Sequence, residues 1–397
     1  MRRVLVVGAG PAGAAIALLL VKRGIDVLLV EREHDFDRAF RGEVLMPGGV
    51  DALRQIGVWP QVARLPHAVV PTMELFVNHR RVVRADWKEL AGDNVARAFN
   101  HSALIELLVN EAAATRRLDL RMGTALHALE VATTHVDVAL RSASGHVTER
   151  ADILIGADGR ASTTRGLAGL KLERFEFPAE IAWLSFPTPE TQRLDPRFQA
   201  FTGRHGFLVL YPSWNGYLRV GIHMRHGSAD WSKHMMLERL SDIAGEPYAS
   251  LARKHAAAIP DPVRLKVLVG RSPRWSGHRV LLFGDAAHPM APVRAQGVNL
   301  ALRDAIVAAN HIVQVYVSGN DADLDAALAR VQSEREPEVV AIQRLQRAAM
   351  ELPLPMRSAL LRTTLLPLLR RTGVMKRAML RSELPFRHGT KEIRLVV

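Results

Sequence analysis

The chain has 397 residues, of which 48% are hydrophobic and 23% charged, and its formal net charge is +13. This length is sufficient for two lobes around a sizeable core, and the composition is typical of a globular protein without a bilayer-spanning run. The sequence contains no cysteine, which excludes disulfides, thiolate metal sites and cysteine nucleophiles and favours a cytoplasmic location.

Residues 4–31 predict a strand, a glycine turn, a helix and a second strand, the order of a dinucleotide-binding unit. The glycines lie at Gly8, Gly10 and Gly13, the G-x-G-x-x-G spacing. This spacing gives a sharp turn, a close approach of the backbone to a pyrophosphate, and close packing of helix on strand. The helix start offers N–H groups to the pyrophosphate, and Glu31 ends the second strand where a carboxylate can accept from a ribose.

Between this unit and Asp158 the pattern predicts a hairpin, a helix and several short strands. The hairpin is predicted over 72–86, where the residues alternate on both sides of an Asn-His-Arg turn. The helix is predicted over 101–113, with Ser102 as its N-cap. The last of the short strands runs into a loop of small residues at Asp158 and Gly159, where backbone can lie against a ligand.

Residues 172–270 have a different composition, with aromatic residues and prolines among alternating runs. They predict an antiparallel sheet, in which Asn215 and Gly216 form a two-residue hairpin turn. A helix is predicted over 230–245, near the edge of this sheet. Such an inserted sheet could form one wall of a substrate pocket. After it a strand, a turn and a helix return, and from about residue 321 the chain is helical.

The positive charge is concentrated in residues 344–397. Twelve Lys and Arg there stand against three Asp and Glu, so +9 of the net +13 lies in this region. The excess fits an anionic membrane surface, nucleic acid, or a solvated helical face in an arginine-rich chain. We favour the solvated face and expect no nucleic acid. The amphipathic segment 352–373 fits either peripheral membrane contact or packing on the rest of the protein.

Three separated stretches together resemble the class A flavoprotein monooxygenases, the para-hydroxybenzoate hydroxylase-like family. The matching residues are the glycine motif with Glu31, then Asp158, Gly159, Ser162 and Arg165, and finally Gly284, Asp285, Pro292, Gln296, Gly297, Asn299 and Asp304. A loop around Arg41 is similar to the family's flavin-contacting loop. The resemblance covers most of residues 1–320.

With this resemblance the predicted fold class is α/β. A Rossmann-like FAD-binding domain carries an inserted antiparallel β-sheet substrate domain and is followed by a C-terminal helical region. The predicted boundaries are 1–71, 96–171 and 271–320 for the FAD-binding domain, 72–95 and 172–270 for the substrate domain, and 321–397 for the C-terminal helices.

The resemblance implies FAD as the cofactor, with NADPH or NADH as the electron donor. Glu31 would hold the adenosine ribose, Asp285 a ribityl hydroxyl, and residues 295–299 would face the isoalloxazine, where amides at a helix start stabilise negative charge. The residues implied to bind the cofactor are Gly8, Gly10, Pro11, Ala12, Gly13, Glu31, Arg32, Arg41, His101, Asp158, Gly159, Gly284, Asp285, Pro292, Ala295, Gln296, Gly297, Val298 and Asn299.

The sequence departs from the family pattern at two places. Arg294 and Ala295 stand where the family usually has two glycines. A fixed charge there would raise the flavin potential or hold an anionic substrate, or else the side chain points into solvent, and both interpretations stay open. His101 stands where the family often has an arginine that contacts FAD, so it is a weaker replacement.

The implied activity is a monooxygenase. FAD reduced by NAD(P)H would react with O2 to a flavin C4a-hydroperoxide, which hydroxylates an aromatic or extended hydrophobic metabolite. No catalytic base is assigned, and the pocket candidates are Tyr211, His223 and Arg294. Two alternatives are an FAD-dependent reductase of isoprenoid-like double bonds and a non-catalytic flavin-fold binding protein. The histidines show no metal-ligand spacing, and the substrate and oligomeric state stay open.

Overall fold

The computed structural model describes residues 3–37, 43–88, 92, 94–177, 179–186, 197–203, 205–225, 227–228, 230–350, 377, 381, 384–386 and 389–397. The loop at Arg41 and the amphipathic segment 352–373 lie outside these residues. The strands are β1 Arg3–Val7, β2 Asp26–Val30, β3 Val44–Leu45, β4 His67–Val70, β5 Thr72–Val77, β6 Arg80–Asp86, β7 Ala96–Phe99, β8 Leu118–Arg121, β9 Ala125–Val131, β10 Val136–Ser142, β11 Gly145–Ala151, β12 Ile153–Gly156, β13 Glu173–Phe175, β14 Ala179–Phe186, β15 Arg197–Gly203, β16 Gly206–Pro212, β17 Leu218–Arg225, β18 Val263–Leu265, β19 Val269–Arg271, β20 Ser276–Gly277 and β21 Val280–Leu282. The helices are α1 Pro11–Val21, α2 Pro47–Ile56, α3 Trp59–Val62, α4 His101–Ala113, α5 Thr163–Leu167, α6 Lys233–Ala244, α7 Tyr248–His255, α8 Gln296–Ser318 and α9 Leu324–Met350.

A six-stranded sheet carries the glycine motif. Its order is β20-β21-β12-β1-β2-β8, parallel from β21 to β8 with β20 antiparallel at the edge. Helix α1 is apolar on all sides, and ten of its eleven residues are buried. It packs against β2, α4 and α8, which is why its sequence lacks a polar face. The strand, turn, helix and strand predicted over 4–31 are confirmed, with the helix ending at Val21.

A seven-stranded sheet forms the second layer, in the order β18-β14-β17-β16-β15-β5-β6. One face carries apolar side chains such as Leu208, Leu210, Val220 and Ile222, which pack against helices α6 and α7. Since side chains alternate along a strand, the residues between them lie on the opposite face. That opposite face forms the wall of the cavity described below.

The predicted elements are correct in outline and wrong in three details. The hairpin predicted over 72–86 is confirmed as β5 and β6, but β5 pairs with β15 in parallel, so the sheet is not wholly antiparallel. The turn between β16 and β17 contains five residues rather than two, because Ser213 N–H donates to the Tyr217 carbonyl across a wider loop. Helix α4 spans the predicted residues 101–113, but its N-cap is Asn100 and not Ser102.

The described end of the chain returns to the six-stranded layer. The Gln55 amide donates to the Ile393 carbonyl at 3.0 Å and accepts from Leu395 N–H at 2.8 Å. Asn310 makes a similar pair of bonds with Arg394 and Val396. None of the helices in the described ranges is both long and apolar enough to cross a membrane. The domain boundaries given above stay a prediction.

Candidate cofactor and substrate cavity

A cavity of about 1800 Å³ connects the two sheets. Gly8, Glu31 and Asp158, which follow β1, β2 and β12, line one end, and Trp183 and Tyr211 of the seven-stranded sheet line the other. The carboxyl ends of parallel strands are where open α/β sheets bind ligands. Since a pocket for one small ligand measures about 300–1,000 Å³, the cavity has room for a dinucleotide and a second molecule.

The glycine turn is fixed by close packing of backbone on backbone. Gly8 has φ +98°, and a Cβ there would lie 2.6 Å from the Ala157 carbonyl oxygen. A Cβ on Gly13 would lie 1.9 Å from the Gly8 carbonyl oxygen. Gly13 therefore supports the turn from behind, while Gly10 lines the cavity. The expected turn at Gly8 and close packing at Gly13 match these positions, and the approach of a pyrophosphate to Gly10 stays a prediction.

Glu31 is buried at the end of β2 with its carboxylate against the turn. One oxygen accepts from Ala9 N–H at 2.8 Å and the other from Glu33 N–H at 3.2 Å. These two bonds to backbone N–H groups fix the orientation of the Glu31 carboxylate beside the glycine turn.

The loop after β12 is held together by Asp158. Its carboxylate accepts from the Ser162 hydroxyl at 2.5 Å and from Thr164 N–H at 2.9 Å. Arg165 donates to the Ala286 carbonyl at 2.8 Å and so ties this loop to the Gly284–Ala286 turn. Asp158 thus shapes the cavity edge through its own loop, and the carboxylate is not simply free to receive a ligand.

The turn at Gly284 and Asp285 rests on a buried ionic cluster. The Asp304 carboxylate accepts from Gly284 N–H at 3.2 Å, pairs with His288 Nε2 at 2.7 Å and accepts from Arg335 Nε at 2.7 Å. Burial acts to raise the pKa of Asp304, but the charges of His288 and Arg335 and their hydrogen bonds lower it to about 2. Asp304 is therefore ionised at neutral pH, and His288 has a structural partner.

The segment that precedes α8 has a strained backbone. Arg294 has φ 59° and Ala295 φ 51°, the left-handed region that favours glycine. The Arg294 guanidinium lies over the Phe386 ring, 4.9 Å from its centroid, and Arg294 also lines the cavity. Its side chain therefore packs on the C-terminal region, which neither of the two interpretations from sequence anticipated.

Asn299 supports this segment from behind. Its side-chain oxygen accepts from Met46 N–H at 2.9 Å, and its amide donates to the Ala295 carbonyl. Gly13, Gly284 and Asn299 were expected to bind the cofactor, but the structure places all three outside the cavity lining. They determine the shape of the cavity indirectly, because they form the turns and hydrogen bonds that position the residues lining it.

The far wall is the open face of the seven-stranded sheet. The side chains that alternate with its packed core lie toward the cavity: Met73, Leu75, Val83, Ile181, Trp183, Phe198, Ala200, Thr202, Phe207, Val209, Tyr211, Arg219, His223, Val263 and Leu265. Phe198 stacks on Tyr211 with ring centroids 6.1 Å apart, and Trp183 meets Tyr211 edge-on at 6.0 Å. A flat apolar molecule would find aromatic faces and edges here.

A buried ion pair joins this wall to the segment before β3. The Glu43 carboxylate accepts from the Ser213 hydroxyl at 2.7 Å and pairs with Arg219 at 2.7 Å. Burial, and to a lesser degree the charge of Glu43, raise the pKa of Tyr211 well above its usual value of 10. The Tyr211 hydroxyl therefore stays protonated at neutral pH.

His223 lies further along β17, with its ring against Phe207 at 4.6 Å between centroids. Burial lowers its pKa to about 4, so the imidazole is neutral at physiological pH. Its Nδ1 is buried and has no hydrogen-bond partner among the described residues. All three residues predicted to line the substrate pocket, Tyr211, His223 and Arg294, line this cavity.

Most of the other predicted cofactor residues also line the cavity. These are Pro11, Ala12, Arg32, His101, Gly159, Asp285, Pro292, Gln296, Gly297 and Val298. Glu43, which belongs to the loop that resembles the family's flavin-contacting loop, lines the cavity as well. Sequence reasoning missed Trp183 and Phe198, although the alternation of β14 and β15 marks both. It also missed Arg160, whose Nε lies 3.6 Å from the Asp285 carboxylate. No cluster of potential metal ligands occurs in the part of the chain that the structure describes.

A glycine turn with an acidic strand end, opening into a cavity walled by a second sheet, defines a dinucleotide-dependent oxidoreductase. The FAD binding domain family matches residues 1–346. The 6-methylpretetramide 4-monooxygenase of Streptomyces rimosus is 33% identical over 84% of this chain and 81% of its own length. The 3-hydroxybenzoate 6-hydroxylase of Klebsiella oxytoca is 30% identical over 86% of each chain. The p-nitrophenol 4-monooxygenase of Pseudomonas putida has the same fold, with a TM-score of 0.81 at 19% identity, covering 98% of this chain and 100% of that one.

The chain therefore belongs to the FAD-binding family of aromatic hydroxylases and is an FAD-dependent monooxygenase. The predicted family, fold class, cofactor and enzyme class are confirmed. The residues present fit FAD, because the start of α1 has no side-chain cap and Glu31 follows the neighbouring strand β2, an arrangement that suits a pyrophosphate and a ribose. The individual contacts to the cofactor stay predictions.

Proposed function

We propose that the chain hydroxylates an aromatic substrate with O2, taking electrons from NADPH or NADH. The observation that carries the proposal is one cavity that continues from the glycine turn to an aromatic sheet face. An aromatic molecule on Trp183 and Tyr211 would adjoin Ala295, which packs in the same apolar cluster. The activities of the two relatives named above support this chemistry, since 3-hydroxybenzoate is a phenolic acid.

The redox chemistry, from electron uptake to oxygen activation, is supplied by the bound FAD. The protein contributes an apolar, water-poor wall around the reacting carbon. The Tyr211 hydroxyl stays protonated, so its role is to donate a hydrogen bond to a phenolic oxygen rather than to remove a proton. The N–H groups at the start of α8, from Gln296 onward, would face negative charge on the reduced cofactor.

The test is rapid mixing of the yellow protein. The enzyme is reduced anaerobically with NADPH or NADH, mixed with oxygenated buffer and followed by absorbance, with and without phenolic compounds. We expect a transient spectrum before the oxidised flavin returns, and one atom of ¹⁸O₂ in the product. A direct return to oxidised flavin with every aromatic compound, and peroxide as the only product, would contradict the proposal and favour the double-bond reductase.

The basic region 344–397 supports a separate proposal of peripheral membrane contact in a cytoplasmic enzyme. Sedimentation with vesicles of phosphatidylserine and phosphatidylcholine tests it. Binding that needs the anionic lipid and disappears at high salt is expected, because the attraction is electrostatic. Equal recovery in the supernatant at low salt would reject this contact.

A further inference from the structure

Along strands β16 and β17 the cavity wall has polar side chains at two separate places. At one, Tyr211 and Arg219 are neighbours across β16 and β17, close to Glu43. The other is His223, four residues further along β17. At about 3.3 Å per residue the two places lie roughly 13 Å apart along the strand. Between them the wall is apolar, so a ligand that used both would have to be longer than one aromatic ring.

The place near Arg219 is the end closer to the cofactor segments. Tyr211 and Trp183 pack in one cluster with Val44, Met46 and Ala295. His223 instead faces Phe207, which lies outside this cluster, while its register partner Ile181 on β14 belongs to it. The imidazole therefore lies four residues along β17 from Arg219, at the other end of this part of the wall.

The hydrogen-bonding capacity of His223 is unused. Its Nδ1 is buried without a partner among the described residues, and no bond is made by Nε2, which is accessible from the cavity. Leaving a buried polar ring unpaired costs stability unless a ligand repays it. Because the ring is neutral, it offers one donor and one acceptor and attracts no anion by charge.

The tautomer of His223 decides whether Nε2 carries the proton. A hydroxyl group fits both cases, since it accepts from an N–H and donates to a lone pair. A carboxylate fits only one of them and would gain more at Arg219. The chemistry that matches the far end of the wall is therefore an uncharged hydroxyl on an aromatic ring edge.

We infer that His223 is a specificity-determining residue that binds a hydroxyl at the far end of a multi-ring phenolic substrate, whose other end lies at Tyr211 and Arg219. This inference rests on the proposed function, because it takes the occupant of the wall to be the aromatic substrate. The role assigned to His223 is selection, because its neutral ring can make a hydrogen bond to the substrate but carries no charge.

The test uses two probes that differ by one hydroxyl. 2,6-Dihydroxyanthraquinone has a hydroxyl at each end, and 2-hydroxyanthraquinone has one. Dissociation constants are measured by calorimetry on the FAD-loaded protein. The wild type should bind the dihydroxy probe about tenfold more tightly, the ratio expected for one hydrogen bond of about 1.4 kcal/mol. In His223→Phe, which keeps an aromatic ring but removes both ring nitrogens, the ratio should fall to about one.

The controls separate recognition from folding. His127→Phe, on the exposed β9, should keep the wild-type ratio. His223→Gln, which retains a donor and an acceptor, should restore part of it, and it replaces His223→Phe if that variant fails to retain FAD. A merely structural role of His223 would weaken both probes equally and leave the ratio unchanged.

A ratio unchanged in His223→Phe would overturn the inference, as would a wild-type protein that binds hydroquinone as tightly as the three-ring probes. Failure of the proposed function is distinguishable, because it is measured in oxygen incorporation and not in binding ratios. A protein that selects the dihydroxy probe through His223 but inserts no oxygen would support the inference and reject the hydroxylase activity.

Discussion

The two sheets of the molecule shape their ends of the cavity by different means. The six-stranded sheet holds its ligand end with backbone: Gly8, Gly13 and the turn at Gly284 are fixed by contacts a single Cβ would break. The seven-stranded sheet holds its end with side chains that alternate between a packed face and the cavity. Backbone geometry tolerates almost no substitution, whereas a side-chain wall can change residue by residue. The molecule thus combines an invariable cofactor end with an adjustable substrate end.

The largest effect is expected from Gly13→Leu, which changes the glycine turn at the cofactor end of the cavity. A Cβ there would lie 1.9 Å from the Gly8 carbonyl, so α1 must move off β1. We expect purified protein without bound FAD and a free energy of unfolding lower by about 3 kcal/mol or more. Flavin absorbance and urea denaturation measure both. Gly166→Ala, where a Cβ meets open space, is the control and should retain FAD.

Asp304→Asn should come next, because it removes the charge that pairs with Arg335 and His288. Breaking one partner of a buried ionic cluster costs about 3–5 kcal/mol. The fraction of the variant that retains FAD should fall as its free energy of unfolding falls, since the Asp304 carboxylate supports the Gly284 turn. A variant as stable as the wild type would show that the cluster is dispensable.

The same residue gives a pH signature. The folded pKa of Asp304 is about 2, below the ordinary 3.8. A lowered carboxyl pKa contributes stability above the unfolded value and loses it as pH falls from about 4 toward 2. Between those limits the wild type should lose about 2 kcal/mol more than Asp304→Asn. Denaturation curves at each pH measure the difference, and parallel curves would contradict it.

Tyr211→Phe changes the wall of the seven-stranded sheet and should leave the cofactor end of the cavity intact. FAD content and stability should be close to wild type, while phenolic substrates bind up to about tenfold more weakly through loss of one hydrogen bond. Since burial raises the pKa of Tyr211 well above 10, the shape of the kcat/KM profile between neutral and mildly alkaline pH should not change. A lost alkaline limb would instead make Tyr211 the titrating group.

The smallest effect is expected from Ala295→Gly. Ala295 has φ 51°, so glycine relieves backbone strain worth about 1 kcal/mol. We expect a small rise in the unfolding midpoint with unchanged FAD content. Ala161→Gly, on an exposed loop at ordinary φ, should give no rise. Equal behaviour of the two variants would mean that the strain is not stored at Ala295.

The success of the sequence-based predictions also differs between the backbone turns and the side-chain wall. The glycine motif and Glu31 were located correctly because their roles depend on steric rules that act over a few residues. The ion pair of Glu43 with Arg219 joins residues 176 apart, and no local pattern links them. The packing of Arg294 on Phe386 likewise depends on how the C-terminal region returns. His223 was a candidate from its strand alone, but its unpaired ring nitrogen appears only in three dimensions.

The all-apolar helix α1 has a consequence for synthesis on the ribosome. It is translated among the first residues, but α8, which covers it, begins at Gln296, some 275 residues after Val21. At about 5–20 residues per second, α1 waits roughly 14–55 s for its cover. During that time its side chains are a binding site for a chaperone. A fragment that stops before α8 should therefore aggregate, so the cofactor-binding half cannot be produced alone as an N-terminal piece.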